Sequence, residues 1–256
     1  MKLREVLRPK DFILLRRSYW EEVKTESERP VSTRFLSLWR ELESDLRLLP
    51  LAAKSTSQLS QDLLVAFLTS FKERGFFVEI GGFDGVKHSN SYLLETELGW
   101  EGLIAEPGRR WQESLKSERR CKLDFRAVTG TSGQRLKFVE RMELSSLGKR
   151  KLGFDLWNRT YAVETVSLSN LLNEHRVPAV FDYLSIDTEG SELEIVSAFP
   201  FVEHRPAIIT IEHNFRPDRP KILELLTRKG YKLILRNHSH FDYWFVDEEL
   251  LRQVNP

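Results

Sequence analysis

The chain has very little cysteine: Cys121 is the single one among its 256 residues. One cysteine cannot form an internal disulfide, and no second thiol is present to complete a thiolate metal cluster. A disulfide-stabilised scaffold and a cysteine-based zinc site are therefore both excluded. The composition favours a reducing compartment, and we expect a cytoplasmic protein.

The chain also lacks an excess of charge of either sign. Lys and Arg number 39 against 38 Asp and Glu, which gives a formal net charge of +1. So balanced a chain has no global field that would draw it to nucleic acid or to an anionic membrane. No apolar run is long enough to span a bilayer, and charged residues interrupt the first segment, MKLREVLRPKDFILLRR, unlike in a signal peptide. We therefore expect no membrane span.

The length suits one α/β domain with an extension. Residues 1–56 are charged and helical in pattern, and residues 57–256 carry an α/β pattern. Apolar side chains of the first region recur at helical spacing until Pro50 ends the run. They are Phe35, Leu38, Trp39, Leu42, Leu46 and Leu49. This stripe predicts an N-terminal helical cap that packs on the main domain.

From residue 58 onward, helices and apolar strands alternate, as in parallel βαβ units. The predicted strands are Phe76–Ile80, Gly102–Ala105, Lys122–Val128, Val180–Ile186 and Ala207–Glu212. The predicted helices are Asp62–Lys72, Tyr92–Leu98, Trp111–Lys116, Leu171–His175 with Ser169 as its cap, Glu192–Phe199 and Ile222–Lys229. Tyr231–Leu235 and Tyr243–Val246 form a predicted hairpin, so the sheet ends antiparallel. The segment Arg141–Thr160 has no clear period and is predicted to be a mobile insertion near the substrate.

A glycine-rich turn follows the first predicted strand in the run FFVEIGGFDG. Glu79, Gly81 and Gly85 form the pattern E-x-G-x-x-x-G, in which glycines let a ligand approach the backbone closely. The dinucleotide fingerprint G-x-G-x-x-G would need glycine where Phe83 and Val86 stand. A hydride-transferring Rossmann enzyme is therefore disfavoured, and the acid suits a ligand that carries a sulfonium and an ammonium.

A second acid, Glu106, ends the next strand in the run LIAEP. Doubly wound nucleotide-binding folds place an acid there, and its two oxygens accept from both ribose hydroxyls. The sequence therefore predicts an adenosyl ligand at this edge of the sheet.

Several motifs in the same order resemble the FkbM-type methyltransferases. They are SQLSQD, FFVEIGGFDGVKHSNSYLLETELGWEGLIAEP, FDYLSIDTEGSELEIV, IEHNF and ILELLTRKGYKL, which together cover roughly residues 57–246. The resemblance implies the class I, Rossmann-like fold, with a mostly parallel seven-stranded sheet that ends in the antiparallel hairpin. It also implies S-adenosylmethionine as methyl donor and usually O-methylation of a sugar or natural product. An RNA 2′-O-methyltransferase for the cap ribose and a non-catalytic interaction module on the same fold are the alternatives.

The resemblance also implies roles by position for residues of the donor site. Those expected on the methionine side of the donor are Glu79, Gly81, Asp84 and Gly85. Glu106 would hold the ribose, and Asp124 to Ala127 would edge the adenine. Gly82 stands where family members commonly have alanine, a small change that leaves the donor site intact.

The acceptor site is expected at the ends of the next two strands. Asp187 follows the strand beside the glycine-rich turn, where a carboxylate orients the acceptor, holds the ammonium of the donor or binds a metal. His213 is the predicted general base at the end of the fifth strand. Asp187 with Glu212 would instead supply ligands for a divalent cation such as Mg²⁺, which lowers the pKa of a hydroxyl.

A small hydroxylated molecule or a glycan is the expected acceptor. Trp157 in the predicted insertion is the best candidate for stacking on a sugar, and Ser145 and Ser146 match a stretch that recurs in the family. The RNA alternative would use basic residues of the insertion as phosphate contacts. These are Arg141, Lys149, Arg150 and Lys151. The acceptor, the base, the need for a metal and the oligomeric state stay open.

Overall fold

The computed structural model describes residues 33–43, 45–140, 145–147 and 159–250. The chain divides after Lys54 into two units, Met1–Lys54 and Ser55–Pro256. Among the described residues, no helix combines the length and the apolar character needed to cross a bilayer.

The described part of the first unit contains two short helices, α1 (Thr33–Glu41) and α2 (Leu48–Ala52). The predicted stripe is only partly buried. Phe35, Leu38 and Leu42 are buried and Trp39 is half-buried, whereas Leu46 is 70% exposed and Leu49 is 44% exposed. The prediction was wrong for these last two because the helix ends at Glu41. The register of a single long helix is therefore lost.

The second unit contains a seven-stranded sheet in the order β10-β11-β9-β8-β1-β2-β3. Its strands are β1 (Phe76–Ile80), β2 (Glu101–Ala105), β3 (Lys122–Asp124), β8 (Val180–Ile186), β9 (Arg205–Glu212), β10 (Tyr231–Ile234) and β11 (Asp242–Asp247). The first five run parallel, and β11 is antiparallel to β9 and to β10. This is the predicted class I methyltransferase fold with its C-terminal antiparallel hairpin.

The described helices of the second unit are α3 (Gln61–Leu68), α4 (Tyr92–Leu98), α5 (Gln112–Glu118), α6 (Leu168–Glu174), α7 (Glu192–Ser197) and α8 (Arg219–Arg228). α3 precedes β1, α4 to α7 lie between successive parallel strands along the chain, and α8 leads from β9 into the hairpin. Gly99 ends α4 in the left-handed conformation at φ +65°, as predicted. The cap of α6 is Ser167, whose side chain accepts from the backbone N–H of Asn170, so Ser169 was the wrong choice.

The core runs across the parallel strands because each of the central ones contributes buried apolar side chains. Val78, Leu103, Leu184 and Ile209 are all fully buried. Burial of both faces of a strand is typical of a parallel sheet covered by helices. The rigid sheet therefore fixes the positions of the loops at its carboxyl edge.

A second, four-stranded sheet in the order β4-β7-β5-β6 was not predicted. Its strands are β4 (Ala127–Thr129), β5 (Arg135–Glu140), β6 (Ser146–Leu147) and β7 (Arg159–Ser167). The predicted strand Lys122–Val128 is in fact two strands in two sheets, because Asp124 pairs with Arg126 where the chain turns. Within the predicted mobile insertion Arg141–Thr160, Ser146 and Leu147 form β6, residues 159–160 begin β7, and Ser145 lies in neither strand. Its other residues, 141–144 and 148–158, lie outside the described ranges.

Candidate active site

The crevice outside β1 and β8 is the point where the strand order reverses, since β2 lies on the other side of β1. Open α/β sheets bind ligands at such a point, beyond the carboxyl ends of the strands. Non-glycine residues with left-handed φ gather in the loops there. They are Phe83 (+47°), Glu189 (+56°), Asn214 (+45°) and Phe215 (+53°). Such strained backbone is concentrated at functional sites.

The glycine-rich loop begins with Gly81, which is pressed against the end of β8. Its φ is +92°, and a Cβ there would lie 1.7 Å from the carbonyl oxygen of Asp187. Its N–H donates to the carbonyl of Ala105 at the end of β2. Only glycine fits this position. Through these contacts the loop after β1 also touches the ends of β2 and β8.

Asp84 and Gly85 give the loop its shape. Oδ1 of Asp84 accepts from the backbone N–H groups of Val86 at 2.9 Å and Lys87 at 2.7 Å. Gly85 has φ +89°, and a Cβ there would lie 2.9 Å from Cδ2 of Leu115. One oxygen of Asp84 is therefore committed to the turn.

Glu79 lies beneath this loop and is only 1% exposed. Its Oε1 accepts from the backbone N–H of Asn90 at 2.6 Å, and its Oε2 accepts from the hydroxyls of Ser89 at 2.9 Å and Ser91 at 2.5 Å. The chain itself therefore supplies donors to both oxygens. A direct contact of Glu79 with the donor stays a prediction.

Glu106 connects the loop after β2 to the glycine-rich loop. Its Oε2 accepts from the N–H of Phe83 at 3.0 Å, and its Oε1 accepts from the N–H of Gly108 at 2.7 Å. Burial raises the pKa of this carboxyl to about 7, although both N–H groups favour its charged form. Each oxygen keeps a second lone pair that can accept a ligand hydroxyl.

Asp124 lies at the end of β3 with its carboxylate hydrogen-bonded to Arg126 and His175. The guanidinium of Arg126 donates to it at 2.6 Å, and Nε2 of His175 lies 2.9 Å from it. Burial acts to raise the pKa of Asp124, but these hydrogen bonds outweigh it and lower the pKa. Ala127, the other predicted adenine contact, is buried in β4.

A cavity of about 410 Å³ opens between the loops after β2 and β3 and the second sheet. Its lining residues are Pro107, Arg109, Gln112, Phe125, Arg135, Ala162, Val163 and Glu164. Pro107 directly follows Glu106, and Phe125 directly follows Asp124. The cavity therefore adjoins both acids that the sequence predicts for the adenosyl group.

Three carboxylates meet at the ends of β8 and β9. Asp187, Glu189 and Glu212 each offer one oxygen, and these oxygens all lie within 4.8 Å of one another. Burial raises the pKa of Asp187 well above its usual range, and the charge of Glu189 raises it further. Burial and the charge of Asp187 do the same for Glu212. Such a cluster holds fewer negative charges than carboxyls, or binds a cation.

Asp242 lies close to this cluster at the start of β11. Its Oδ2 accepts from Nε2 of Gln61 at 2.8 Å, and the residue is 5% exposed. Burial raises the pKa of Asp242 to about 7. The start of α3 therefore meets the C-terminal hairpin beside the carboxylates.

His213 is 3% exposed and its ring packs 4.3 Å from that of Tyr243. The N–H of Phe215 donates to Nδ1 at 3.1 Å. Burial lowers the pKa of His213 to about 4, so the ring is neutral and its proton is on Nε2. In this form Nε2 is a hydrogen-bond donor.

Sequence reasoning missed Gln61, Glu189, Asp242 and Arg119 as site residues. The motifs SQLSQD and DTEG contain the first two, and that was the available signal. Arg119 follows α5, and only the tertiary structure brings it beneath the glycine-rich loop. Trp157 and the four basic residues of the insertion lie outside the described residues. Ser146 pairs with Val139 at the edge of the second sheet.

Comparison with known proteins places this geometry in context. The family described as "Methyltransferase FkbM domain" matches residues 79–233. No curated protein matches significantly.

Solved methyltransferase structures are similar to this chain at low identity. The FkbM methyltransferase of Methylobacillus flagellatus KT is 14% identical with a TM-score of 0.45, and the match covers 83% of this chain and 59% of that one. The precorrin-6y C5,15-methyltransferase of Geobacter metallireducens GS-15 is 13% identical with a TM-score of 0.42, over 70% of this chain and 75% of that one. The ribosomal protein L11 methylase of Lactobacillus delbrueckii subsp. bulgaricus is 13% identical with a TM-score of 0.39, over 74% and 76%.

Proposed function

Because the chain belongs to the FkbM methyltransferase family, we propose that it methylates a hydroxyl oxygen of a sugar, a glycan or a small natural product. Family membership implies S-adenosylmethionine as the methyl donor. The observation that carries the proposal is the crevice between β1 and β8. There the glycine-rich loop lies directly beside Asp187, Glu189 and Glu212.

Two features of the crevice suit the adenosyl end of the donor. Glu106 keeps free lone pairs for the ribose hydroxyls, and the cavity lined by Pro107 and Phe125 has room for the adenine. No phosphate-binding third glycine is present, since Val86 occupies that position. A ligand without phosphates therefore fits better than a dinucleotide.

The charge of the crevice suits the other end of the donor. Within the described ranges, Asp187 and Glu212 form no ion pair with Lys or Arg. Their raised pKa values reflect burial and mutual repulsion. A ligand with a sulfonium and an ammonium would relieve that repulsion and favour the ionised forms. Asp187 is the nearer to the loop, since its carbonyl meets Gly81.

Methyl transfer to oxygen needs a group that takes the hydroxyl proton. The bound donor supplies an electrophilic methyl group on a sulfonium. As the acceptor oxygen takes the methyl group, its proton passes to a carboxylate, and Asp187 is the proposed base. His213 is the poorer choice, because its Nδ1 already accepts from Phe215 and its Nε2 carries the proton.

The same carboxylates would hold a divalent cation if the reaction uses one. Three carboxylate oxygens within 4.8 Å of one another match the hard ligands that Mg²⁺ takes. Such an ion would lower the pKa of an acceptor hydroxyl. Asp187 and Glu212 were the predicted ligands, and Glu189 completes the set.

Methyl-labelled donor tests both parts of the proposal. The protein is incubated with the donor and a panel of hydroxylated sugars, glycosides and phenols, with and without EDTA. A labelled methyl ether is the expected product, and a labelled N-methyl or C-methyl product would contradict O-methylation. Loss of product in EDTA that Mg²⁺ restores would support the cation, whereas full activity in EDTA would remove it.

A further inference from the structure

A buried arginine lies beneath the glycine-rich loop and holds it from below. The side chain of Arg119 is 0% exposed. Its Nη1 donates to the carbonyl of Gly85 and to the hydroxyl of Ser89, both at 2.9 Å, and its Nη2 donates to the hydroxyl of Ser91 at 2.8 Å. One guanidinium therefore ties the start of the loop to its end.

Two acids balance this charge. Nε of Arg119 donates to the carboxylate of Glu95 in α4, and Oε2 of Glu79 lies 3.7 Å from Nη1. Burying these charges costs much desolvation energy, which only well-satisfied geometry repays. Loss of Arg119 would leave two buried carboxylates without their cation.

Glu79 shares the same partners as Arg119. The hydroxyls of Ser89 and Ser91 donate to Glu79 and accept from Arg119. Glu79 is 1% exposed, and the backbone N–H of Asn90 occupies its other oxygen. Both lone pairs of its Oε2 are used by Ser89 and Ser91, and at 1% exposure the side chain meets no ligand unless the loop above it moves.

We propose that Glu79 and Arg119 act as one positioning unit that sets loop 81–91 for the methionine end of the donor, and that Glu79 does not touch the donor. This inference rests on the proposed donor site. It changes the role expected for Glu79 from the resemblance, which is a direct contact. It also assigns a role to Arg119, which no motif indicated.

Two ligands distinguish an effect on the loop from an effect on the rest of the donor site. S-adenosylhomocysteine carries the amino-acid group, whereas 5′-methylthioadenosine keeps adenine and ribose but lacks it. Their dissociation constants are measured by calorimetry for the wild type, Arg119→Met, Arg119→Lys, Glu79→Gln and the Glu79→Gln/Arg119→Met double variant. Arg205→Met is the control, because it breaks an ion pair with Asp247 at the amino end of β9, away from the loop at the carboxyl ends of the strands. Melting temperatures are recorded for every variant.

Arg119→Met is expected to raise the dissociation constant of S-adenosylhomocysteine about 10-fold or more and that of 5′-methylthioadenosine less than about 3-fold. Arg119→Lys should restore part of the loss, since lysine keeps the charge but not the planar fork. The double variant should bind no worse than the weaker single variant, because residues that act as a unit are not additive. The control should lower the melting temperature without changing either affinity.

Other outcomes would overturn the inference. If the fold-losses of affinity in the two single variants multiply in the double variant, Glu79 contacts the donor itself. Equal losses for both ligands, or a lower melting temperature with unchanged affinities, would mean that Arg119 only stabilises the fold. If Arg119→Met does not fold, Ser89→Ala and Ser91→Ala replace it, because each removes one partner that Glu79 and Arg119 share. Each should weaken the binding of S-adenosylhomocysteine more than that of 5′-methylthioadenosine. An unchanged ratio of the two dissociation constants would overturn the inference. A wild type that binds neither ligand would instead refute the donor site itself.

Discussion

At the scale of single residues, the protonation state of Glu106 should control how tightly the donor binds. Its buried carboxyl has a pKa of about 7, and only the ionised form accepts hydrogen bonds from both ribose hydroxyls. The dissociation constant for S-adenosylhomocysteine should therefore fall as pH rises from 6 to 8. Glu106→Ala should weaken binding by about 1–3 kcal/mol, the usual penalty for stranding buried polar partners.

Calorimetry at pH 6, 7 and 8 checks this prediction. Glu106→Gln is the matched control, since it keeps the shape of the side chain but does not titrate. The pH dependence should be smaller in that variant, because only the contribution of Asp187 and Glu212 is left. A wild type whose affinity is the same at all three values would show that the ribose contact is misassigned.

Asp187 and His213 compete for the role of general base. Asp187→Asn should lower the single-turnover rate at saturating donor by about 10²–10⁴-fold, the usual contribution of a general base. His213→Gln should cost less than about 10-fold, because the glutamine carbonyl can still accept from the N–H of Phe215. Rapid quench with labelled donor measures both rates. The reverse order of effects would return the role to His213.

At the scale of elements, the strands were predictable where one mostly apolar segment forms one strand. Phe76–Ile80 and Val180–Ile186 agree residue for residue with β1 and β8. Their carboxyl ends meet at one edge of a parallel sheet, and that is why Asp187 could be placed beside the glycine-rich loop from sequence. Runs that change sheets, such as Lys122–Val128, give no such signal.

The second sheet was missed because β4 and β6 have only three and two residues and because polar residues occupy buried positions in the longer strands. In β5, Leu136, Phe138 and Glu140 face inward, so a charged residue occupies an inward position. A period-2 pattern with an acid on the buried face does not indicate a strand. The roles of Arg119 and of the His213 tautomer were equally hidden, since both depend on contacts between distant segments.

Glu140 explains how the second sheet is attached to the loop after β2. Its side chain is 0% exposed, and Oε1 accepts from the hydroxyl of Tyr161 at 2.7 Å. That hydroxyl also accepts from the N–H of Arg109 at 2.8 Å. Tyr161→Phe should therefore lower the free energy of unfolding by about 1–3 kcal/mol, since the N–H of Arg109 loses its acceptor and Oε1 of Glu140 keeps only the N–H of Arg110 at 3.1 Å.

Urea denaturation measures this loss. Adding Glu140→Gln to Tyr161→Phe should recover part of it, because the buried partner then carries no charge. An unchanged midpoint in Tyr161→Phe would mean that water or another group replaces the hydroxyl.

At the scale of the whole molecule, a nearly neutral chain contains a strongly acidic crevice. The net charge is +1, yet Asp187, Glu189, Glu212 and Asp242 gather at one edge of the sheet. The local field therefore favours a cationic ligand, although the global field favours none. The free energy of unfolding of the unliganded protein should therefore depend on pH.

Glu106 and Asp242 should contribute to this pH dependence, because burial raises the pKa of each to about 7. A carboxyl whose pKa is higher in the folded state stabilises the fold below its unfolded pKa, near 4, and loses this contribution as pH rises through 7. The free energy of unfolding of the unliganded protein should thus fall between about pH 4 and pH 8, by up to roughly 3 kcal/mol per group. Urea titrations across this range measure the slope, and the Glu106→Gln/Asp242→Asn double variant should flatten it. A slope that is the same in wild type and double variant would mean that these two carboxyls titrate in the folded protein as they do in the unfolded chain.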